Sequence, residues 1–264
     1  MIRLSNVQCT FNRDTVLETR ALRDISLSIA AGEFVTVIGS NGAGKSTLLS
    51  VMSGEAPVTS GKVEIFDVDV TKLPAHRRAS SIARVFQDPL MGTCAGLTIE
   101  ENMAMAAKRG QLRGAALASN RTLRSLFREE LSKLGLGIEN RLGELMGMLS
   151  GGQRQAVSLI MASLAKSDIL LLDEHTSALD PGSAKFVLEL TDRIVSEKKL
   201  TTLMVTHSMG LALQHGTRTI MLDAGKIIMD LSGAERRSAT VEDLLSMFTK
   251  IRGKVIDEDA LLLA

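Results

Sequence analysis

The nine residues Gly39-Ser40-Asn41-Gly42-Ala43-Gly44-Lys45-Ser46-Thr47 constrain the fold of this chain more than any other stretch. They follow a strand-like run, Phe34-Val35-Thr36-Val37-Ile38, and lead into the helix-like Leu48-Leu49-Ser50-Val51-Met52. The pattern GxxxxGK[ST] between a strand and a helix is a triphosphate cradle, and the flanks distinguish it from a merely flexible loop. Without Cβ atoms, Gly39, Gly42 and Gly44 let the backbone curl around phosphate oxygens, its N–H groups pointing inward at the positive end of a helix. Ser40, Asn41, Ala43 and Thr47 complete the cradle. Lys45 is placed to reach the β- and γ-phosphates and Ser46 to offer its hydroxyl to Mg²⁺.

Four further pieces follow in a fixed order. Phe86-Gln87-Asp88 comes after the apolar Ile82-Ala83-Arg84-Val85, so the Gln87 amide lies at a strand end, where it can reach a metal-bound water. Leu149-Ser150-Gly151-Gly152-Gln153 opens a helical stretch over residues 154–166. It is a serine-capped helix start, and Ser150, Gly151 and Gly152 can also donate a hydroxyl and N–H groups to a phosphate there. Ile169-Leu170-Leu171-Leu172 reads as a buried parallel strand ending in Asp173 and Glu174. A carboxylate at that end holds Mg²⁺ through water, the role expected of Asp173. Glu174, one residue on, points differently and is the candidate general base or water-positioning group. Thr201-Thr202-Leu203-Met204-Val205-Thr206 repeats the strand design and ends in His207.

With Ser177-Ala178-Leu179-Asp180 after the acidic pair, this order of motifs resembles the ATP-binding subunits of ABC transporters, from about Ile2 to about Phe248. The resemblance implies an α/β fold: a P-loop NTPase core with a mostly parallel sheet, an N-terminal antiparallel β subdomain and an inserted helical lobe. It implies one domain over 1–252, its core at 1–87 and 168–252 and its lobe at 88–167, with a tail at 253–264. Two copies are then expected to form a head-to-tail ATP sandwich, in which Ser150, Gly151, Gly152 and Gln153 of one subunit cover the γ-phosphate held by the other. Asp180 crosses the same interface, and His207 contacts the γ-phosphate and the catalytic glutamate. The family places an aromatic near the end of the first strand against adenine. The chain has no Trp and no Tyr, so Phe11 takes that place, with Val16 able to pack beside it.

The resemblance further implies hydrolysis of ATP to ADP and phosphate, with Mg²⁺, to drive solute transport, with import expected. The implied partners are a second, identical subunit, an integral-membrane permease and an extracytoplasmic solute-binding protein. In relatives, the region corresponding to residues 91–97 forms the groove for a permease helix. The chain departs from many relatives at His175, where they carry proline. Asp173-Glu174-His175-Thr176-Ser177-Ala178-Leu179-Asp180 resembles a bacterial branch described as tryptophan/tyrosine transport ATPases.

Composition narrows the alternatives. A net charge of +1 over 264 residues lacks the basic excess of a nucleic-acid binder. Cys9 and Cys94 are too few and too unpatterned for a disulfide framework or a zinc site, and both are expected to be small buried hydrophobes. No run approaches the roughly 18 to 20 apolar residues of a membrane span. The expected location is therefore the cytoplasm, peripheral on the inner face of the cell membrane through partners. His76 and His215 have no motif around them and are expected at the surface. Capped or periodic stretches predict helices from Thr98, over residues 119–134 and over residues 240–250, and Asp223-Ala224-Gly225-Lys226 predicts a hairpin turn. A DNA-repair ATPase would need a long heptad insertion and a tandem translation factor a second phosphate loop; the chain has neither. The alternative is a non-transport assembly or scaffold ATPase, which could keep every motif and lack only a permease.

Overall fold

The computed structural model describes residues 1–111 and 119–252. Residues 112–118 of the expected lobe and the expected tail at 253–264 lie outside them. In chain order the elements are β1 (Ile2–Phe11), β2 (Thr19–Ile29), β3 (Phe34–Gly39), α1 (Lys45–Ser53), β4 (Ser60–Ile65), β5 (Val68–Asp69), α2 (Ala75–Arg78), β6 (Ile82–Val85), α3 (Ile99–Ala107) and α4 (Arg121–Ser132). They continue as α5 (Gly151–Leu164), β7 (Ile169–Asp173), α6 (Pro181–Lys198), β8 (Thr201–Val205), α7 (Met209–Gln214), β9 (Arg218–Asp223), β10 (Lys226–Ser232), α8 (Gly233–Ser238) and α9 (Val241–Arg252). The chain divides into two compact units: Met1–Ala75 with the chain from Thr201 onward, and His76–Leu200.

The first unit holds an antiparallel sheet in the order β2-β1-β4-β5. Along β1 the buried residues are Ile2 and Leu4, then Val7 and Cys9, so the alternation slips by one residue between them. The slip is a bulge: the pairing with β2 shifts between Leu4 and Val7, and Asn6 takes a left-handed φ of 50°. Burial raises the pKa of the Cys9 thiol.

In the same unit, β3 runs parallel to β8 on one side and to β9 on the other, and β10 is antiparallel to β9. All six residues of β3 are buried, and the run is apolar but for Thr36, whose hydroxyl is hydrogen-bonded. Ile38, Met209, Ala212, Met221, Met229, Leu231, Leu244 and Phe248 form a core between the sheet, α7 and α9. Helix α7 has six residues, too few to sustain itself in water. Its end is held from outside: the Ala212 carbonyl accepts from Thr36 Oγ1 at 3.0 Å, Thr219 Oγ1 at 3.2 Å and Arg236 Nη2 at 2.8 Å.

The second unit pairs β6 with β7 in parallel and packs α5 against α6. From Gln155 to Ser163 every residue of α5 is buried, so this helix is enclosed all round. Helix α3 begins with a reciprocal capping box between Thr98 and Glu101. Cys94 corrects an expectation, because it is exposed. Buried Asn102 accepts from the Cys94 N–H at 2.7 Å and donates to its carbonyl at 3.0 Å, so the residue is tied down by its backbone and not by apolar packing. Among the described residues no helix is long and apolar enough to cross a membrane.

Candidate active site

The phosphate loop leaves the carboxyl end of β3 in the first unit. Gly39 has φ +147°, and a Cβ there would meet the Leu222 carbonyl oxygen at 2.2 Å. Gly44 caps α1 at φ 103°, with a Cβ position 2.6 Å from the Ala21 oxygen. Both positions require glycine, for conformation and for space. Lys45, 5% exposed, folds back so that Nζ donates to the carbonyls of Gly39 at 2.8 Å and Ser40 at 3.1 Å. Its ammonium therefore sits over the loop. The first turn of α1 contains no acidic residue, which leaves the helix N-terminus positive for an anion.

His207 follows β8, whose register with β3 carries past its end: the Thr206 N–H donates to the Val37 carbonyl at 3.1 Å. His207 thus emerges at the same end of the sheet as the loop, where ligands of open α/β sheets bind. Ser208 then caps α7. Phe11 ends β1 and is 37% exposed. Val16 is fully exposed in the loop between β1 and β2, so it does not pack beside Phe11. His215 is half-buried, its carbonyl accepting from Arg236, whereas His76 is exposed.

The second unit carries the acidic residues. Asp173 ends β7, and its Oδ2 lies 2.6 Å from Nη2 of Arg84 on the neighbouring β6. Glu174, 8% exposed, has a left-handed φ of 46°. Its carbonyl accepts from the Ser177 N–H at 3.0 Å and the Ser177 hydroxyl at 2.9 Å, which closes a turn after the acidic pair. Gln87 is exposed just past β6, and the carbonyl before it, on Phe86, accepts from the buried Gln155 of α5 at 3.1 Å.

Ser150 caps α5 in a full capping box: its hydroxyl accepts from the Gln153 N–H at 3.2 Å, and the Gln153 side chain accepts from the Ser150 N–H at 3.1 Å. Arg154 holds the preceding loop by donating to the carbonyls of Gly147 and Leu149 at 2.9 and 3.0 Å. Ser150 and Gly151 are exposed. A Cβ on Gly152 would stand 2.5 Å from Ser183 Oγ, so glycine lets the N-terminal turns of α5 and α6 meet. Asp180 caps α6, accepting from the Ser183 N–H at 3.0 Å. Hydrogen bonds from the Ser183 side chain and then its backbone hold the Asp180 carboxyl below its ordinary pKa.

The unit has an open cavity of about 360 Å³, lined by Phe86, Met91, Met105, Arg109, Gln155 and Met161 among others. In the sequence Arg84 is only part of a strand, and His175 is only a departure from proline. Neither the ion pair nor the burial of His175 carries a local sequence signal.

Comparison with known proteins adds three kinds of likeness. The ABC transporter family model matches residues 22–177. A tyrosine transport ATP-binding protein of Clostridioides difficile is 42% identical over 248 residues, covering 94% of this chain and 98% of the relative. A phosphonates import ATP-binding protein of Lactococcus lactis is 35% identical over 239 residues, covering 87% of this chain and 92% of the relative. A dimeric ATP-binding cassette solved in a post-hydrolysis state with ADP and phosphate superposes with a TM-score of 0.76 at 30% identity, covering 88% of this chain and 98% of that one.

Proposed function

Since the chain belongs to the ABC transporter family, we propose that it closes with a second copy of itself around ATP and couples hydrolysis to solute movement through a partner permease. It is an ABC ATPase with the P-loop α/β fold of those cassettes. The finer reading assigns the triphosphate to the N–H groups of residues 40–47 and to the Lys45 ammonium, and adenine to the exposed ring of Phe11, with the solvent-facing Val16 as a second, separate apolar contact for the base. Mg²⁺ falls to Ser46, Gln87 and Asp173. A hydroxyl, an amide and a carboxylate are oxygen donors, the set that suits this ion when phosphates supply the rest. Held by these residues, the ion would supply positive charge to the triphosphate. Glu174 orients the attacking water and takes its proton, and His207 contacts the γ-phosphate.

One observation supports the dimeric sandwich above all: the start of α5 is a rigid, capped and solvent-facing helix N-terminus rich in glycine, the same anion-binding chemistry as the phosphate loop. On this reading Ser150, Gly151, Gly152 and Gln153 serve the partner's nucleotide, and Asp180 faces the partner. The open cavity at residues 91–94, with Met91, Met105 and Met161 in its lining, supports this face as the one that receives a permease helix. The protein is then peripheral on the inner face of the cell membrane. The phosphonates import name of one relative favours import, which brings in an extracytoplasmic solute-binding protein, and the tyrosine transport name of another favours an aromatic amino acid as cargo.

Tethered hybrid dimers test the sandwich. A Lys45→Ala subunit joined to a Ser150→Arg subunit puts both lesions into one composite site and leaves the other intact, so ATPase activity should survive. A wild-type subunit joined to a Lys45→Ala/Ser150→Arg subunit spoils both sites and should be silent. More activity in the second hybrid than in the first would exclude the arrangement.

A further inference from the structure

His175 is a buried imidazole directly after the proposed catalytic glutamate, 2% exposed. Its Nε2 lies 3.0 Å from Oγ1 of Thr191, in the body of α6, and Thr191 is 1% exposed. The direction of that bond follows from proton counting. A threonine hydroxyl has one hydrogen, and Thr191 Oγ1 donates it to the Val187 carbonyl one turn back, at 2.8 Å. The imidazole is therefore the donor, and the order reads His175 Nε2–H to Thr191 Oγ1, then Thr191 O–H to Val187 O. The tautomer carrying hydrogen on Nε2 is the one the site requires.

The residue before it is under conformational load. Glu174 has φ 46°, a region that side chains of L-residues resist, and it must leave a buried strand and enter the turn closed by Ser177. A backbone outlier of this kind persists where its surroundings over-determine it. The neighbours of Glu174 meet that condition: β7 fixes the residue before, Ser177 fixes its carbonyl, and the His175 ring fixes the residue after. Asp180 caps the N-terminus of the same α6 that anchors His175. One helix is thus the common reference for both ends of the loop from 174 to 180.

We infer that His175 is a positioning residue for Glu174: its N–H, bonded to Thr191, clamps the peptide after Glu174 to α6 and keeps the glutamate in its left-handed conformation. This rests on the proposed role of Glu174 as the base. The clamp acts on where the carboxylate is held and not on nucleotide affinity, so its loss shows in turnover. A misplacement of about 1 Å at a reacting group can cost about a hundredfold in rate.

Two pairs of variants approach the bond from its two ends. Thr191→Val removes the acceptor and Thr191→Ser keeps it; His175→Leu removes the donor and His175→Gln keeps an N–H at similar reach. ATPase turnover at saturating Mg²⁺-ATP and ATP binding are measured on the folded subunit, with Glu174→Gln in parallel. Thr191→Val and His175→Leu should lose about tenfold or more in kcat with the ATP Kd within about twofold, whereas Thr191→Ser and His175→Gln recover to within about threefold of wild type. Either pair suffices if the other fails to fold. The clamp is overturned if the bond-deleting variants keep wild-type turnover, or if the bond-keeping variants fall as far as they do, which would indicate packing alone. Unchanged turnover in Glu174→Gln would instead remove the base assignment, and the clamp with it.

Discussion

The guanidinium of Arg84 holds the Asp173 carboxylate at 2.6 Å, with its central carbon 4.9 Å from the centre of the Phe86 ring. The two side chains are 9% and 11% exposed, so the pair is largely out of water. They come from adjacent parallel strands, in which Arg84 stands opposite Leu171 and Asp173 lies two residues further on. Arg84 therefore reaches forward along the sheet to the strand end, and the carboxylate is oriented before any ligand arrives.

Deleting the arginine should take from that carboxylate its opposite charge. Breaking a buried ion pair from one side costs about 3 to 5 kcal/mol, so Arg84→Met should lower the unfolding free energy by roughly that amount in urea titrations without nucleotide. Arg84→Lys should recover only part, because an ammonium has neither the planar fork nor the face that lies over Phe86. Stability equal to wild type in Arg84→Met would mean that partners other than the arginine satisfy Asp173.

Glu174→Gln should retain ATP binding and lose nearly all turnover, since an amide can still hold water but cannot accept its proton. With hydrolysis blocked, ATP should trap a dimer that size-exclusion chromatography resolves from the nucleotide-free subunit. Steady-state hydrolysis at the wild-type rate would take Glu174 out of the mechanism.

Lys45→Ala and Phe11→Ala should separate by size of effect. The lysine makes the two hydrogen bonds that fold its ammonium over the loop and, in the proposed role, carries the charge that meets the triphosphate, so its loss should abolish ATP hydrolysis. The exposed Phe11 ring offers stacking worth about 0.5 to 1.5 kcal/mol beyond its area, which corresponds to a rise in ATP Kd of roughly two- to twelvefold. Calorimetry measures the affinity change, and an unchanged Kd in folded Phe11→Ala would place adenine on another surface.

Asp180 sets an acid-sensitive contribution to stability. Hydrogen bonds from Ser183 depress its carboxyl pKa in the folded protein. A depressed folded-state value gives stabilisation that is complete above the unfolded value and is lost as pH falls through the folded one, here below about pH 4. Asparagine caps helices about as well as aspartate without titrating there. Asp180→Asn should match the wild-type melting temperature at neutral pH and lose less on acidification from about pH 5 to about pH 3. Parallel acid limbs in the two proteins would count against this reading of Asp180.

What the sequence disclosed and what it hid divide along physical lines. The phosphate loop, the capped start at Ser150, the apolar β7 run and the hairpin at residues 223–226 are local: spacing, caps and turn chemistry within a few residues define them. The Arg84–Asp173 pair joins positions 89 residues apart, and the His175–Thr191 bond depends on how a loop packs against a helix. No local window along the chain signals either. The six-residue α7 is likewise invisible there, being too short for a period to emerge and held in place by Thr36, Thr219 and Arg236. Cys94 misleads because composition predicts a thiol to be buried, while Asn102 fixes its backbone in a loop and leaves the side chain outside.

The double pairing of β3 bears on how the gene can be shortened. Every nucleotide motif except His207 lies before residue 181, so a coding sequence cut there would still carry most of the motifs of an ATPase. Yet β3, which launches the phosphate loop, takes its hydrogen-bonding neighbours β8 and β9 from residues beyond 200. In such a fragment a wholly buried apolar strand would be bare along both edges, a template for aggregation. The shortest version of the protein fit for screening or crystallisation must therefore run through β10 to Leu244 and Phe248, which close the sheet's apolar face.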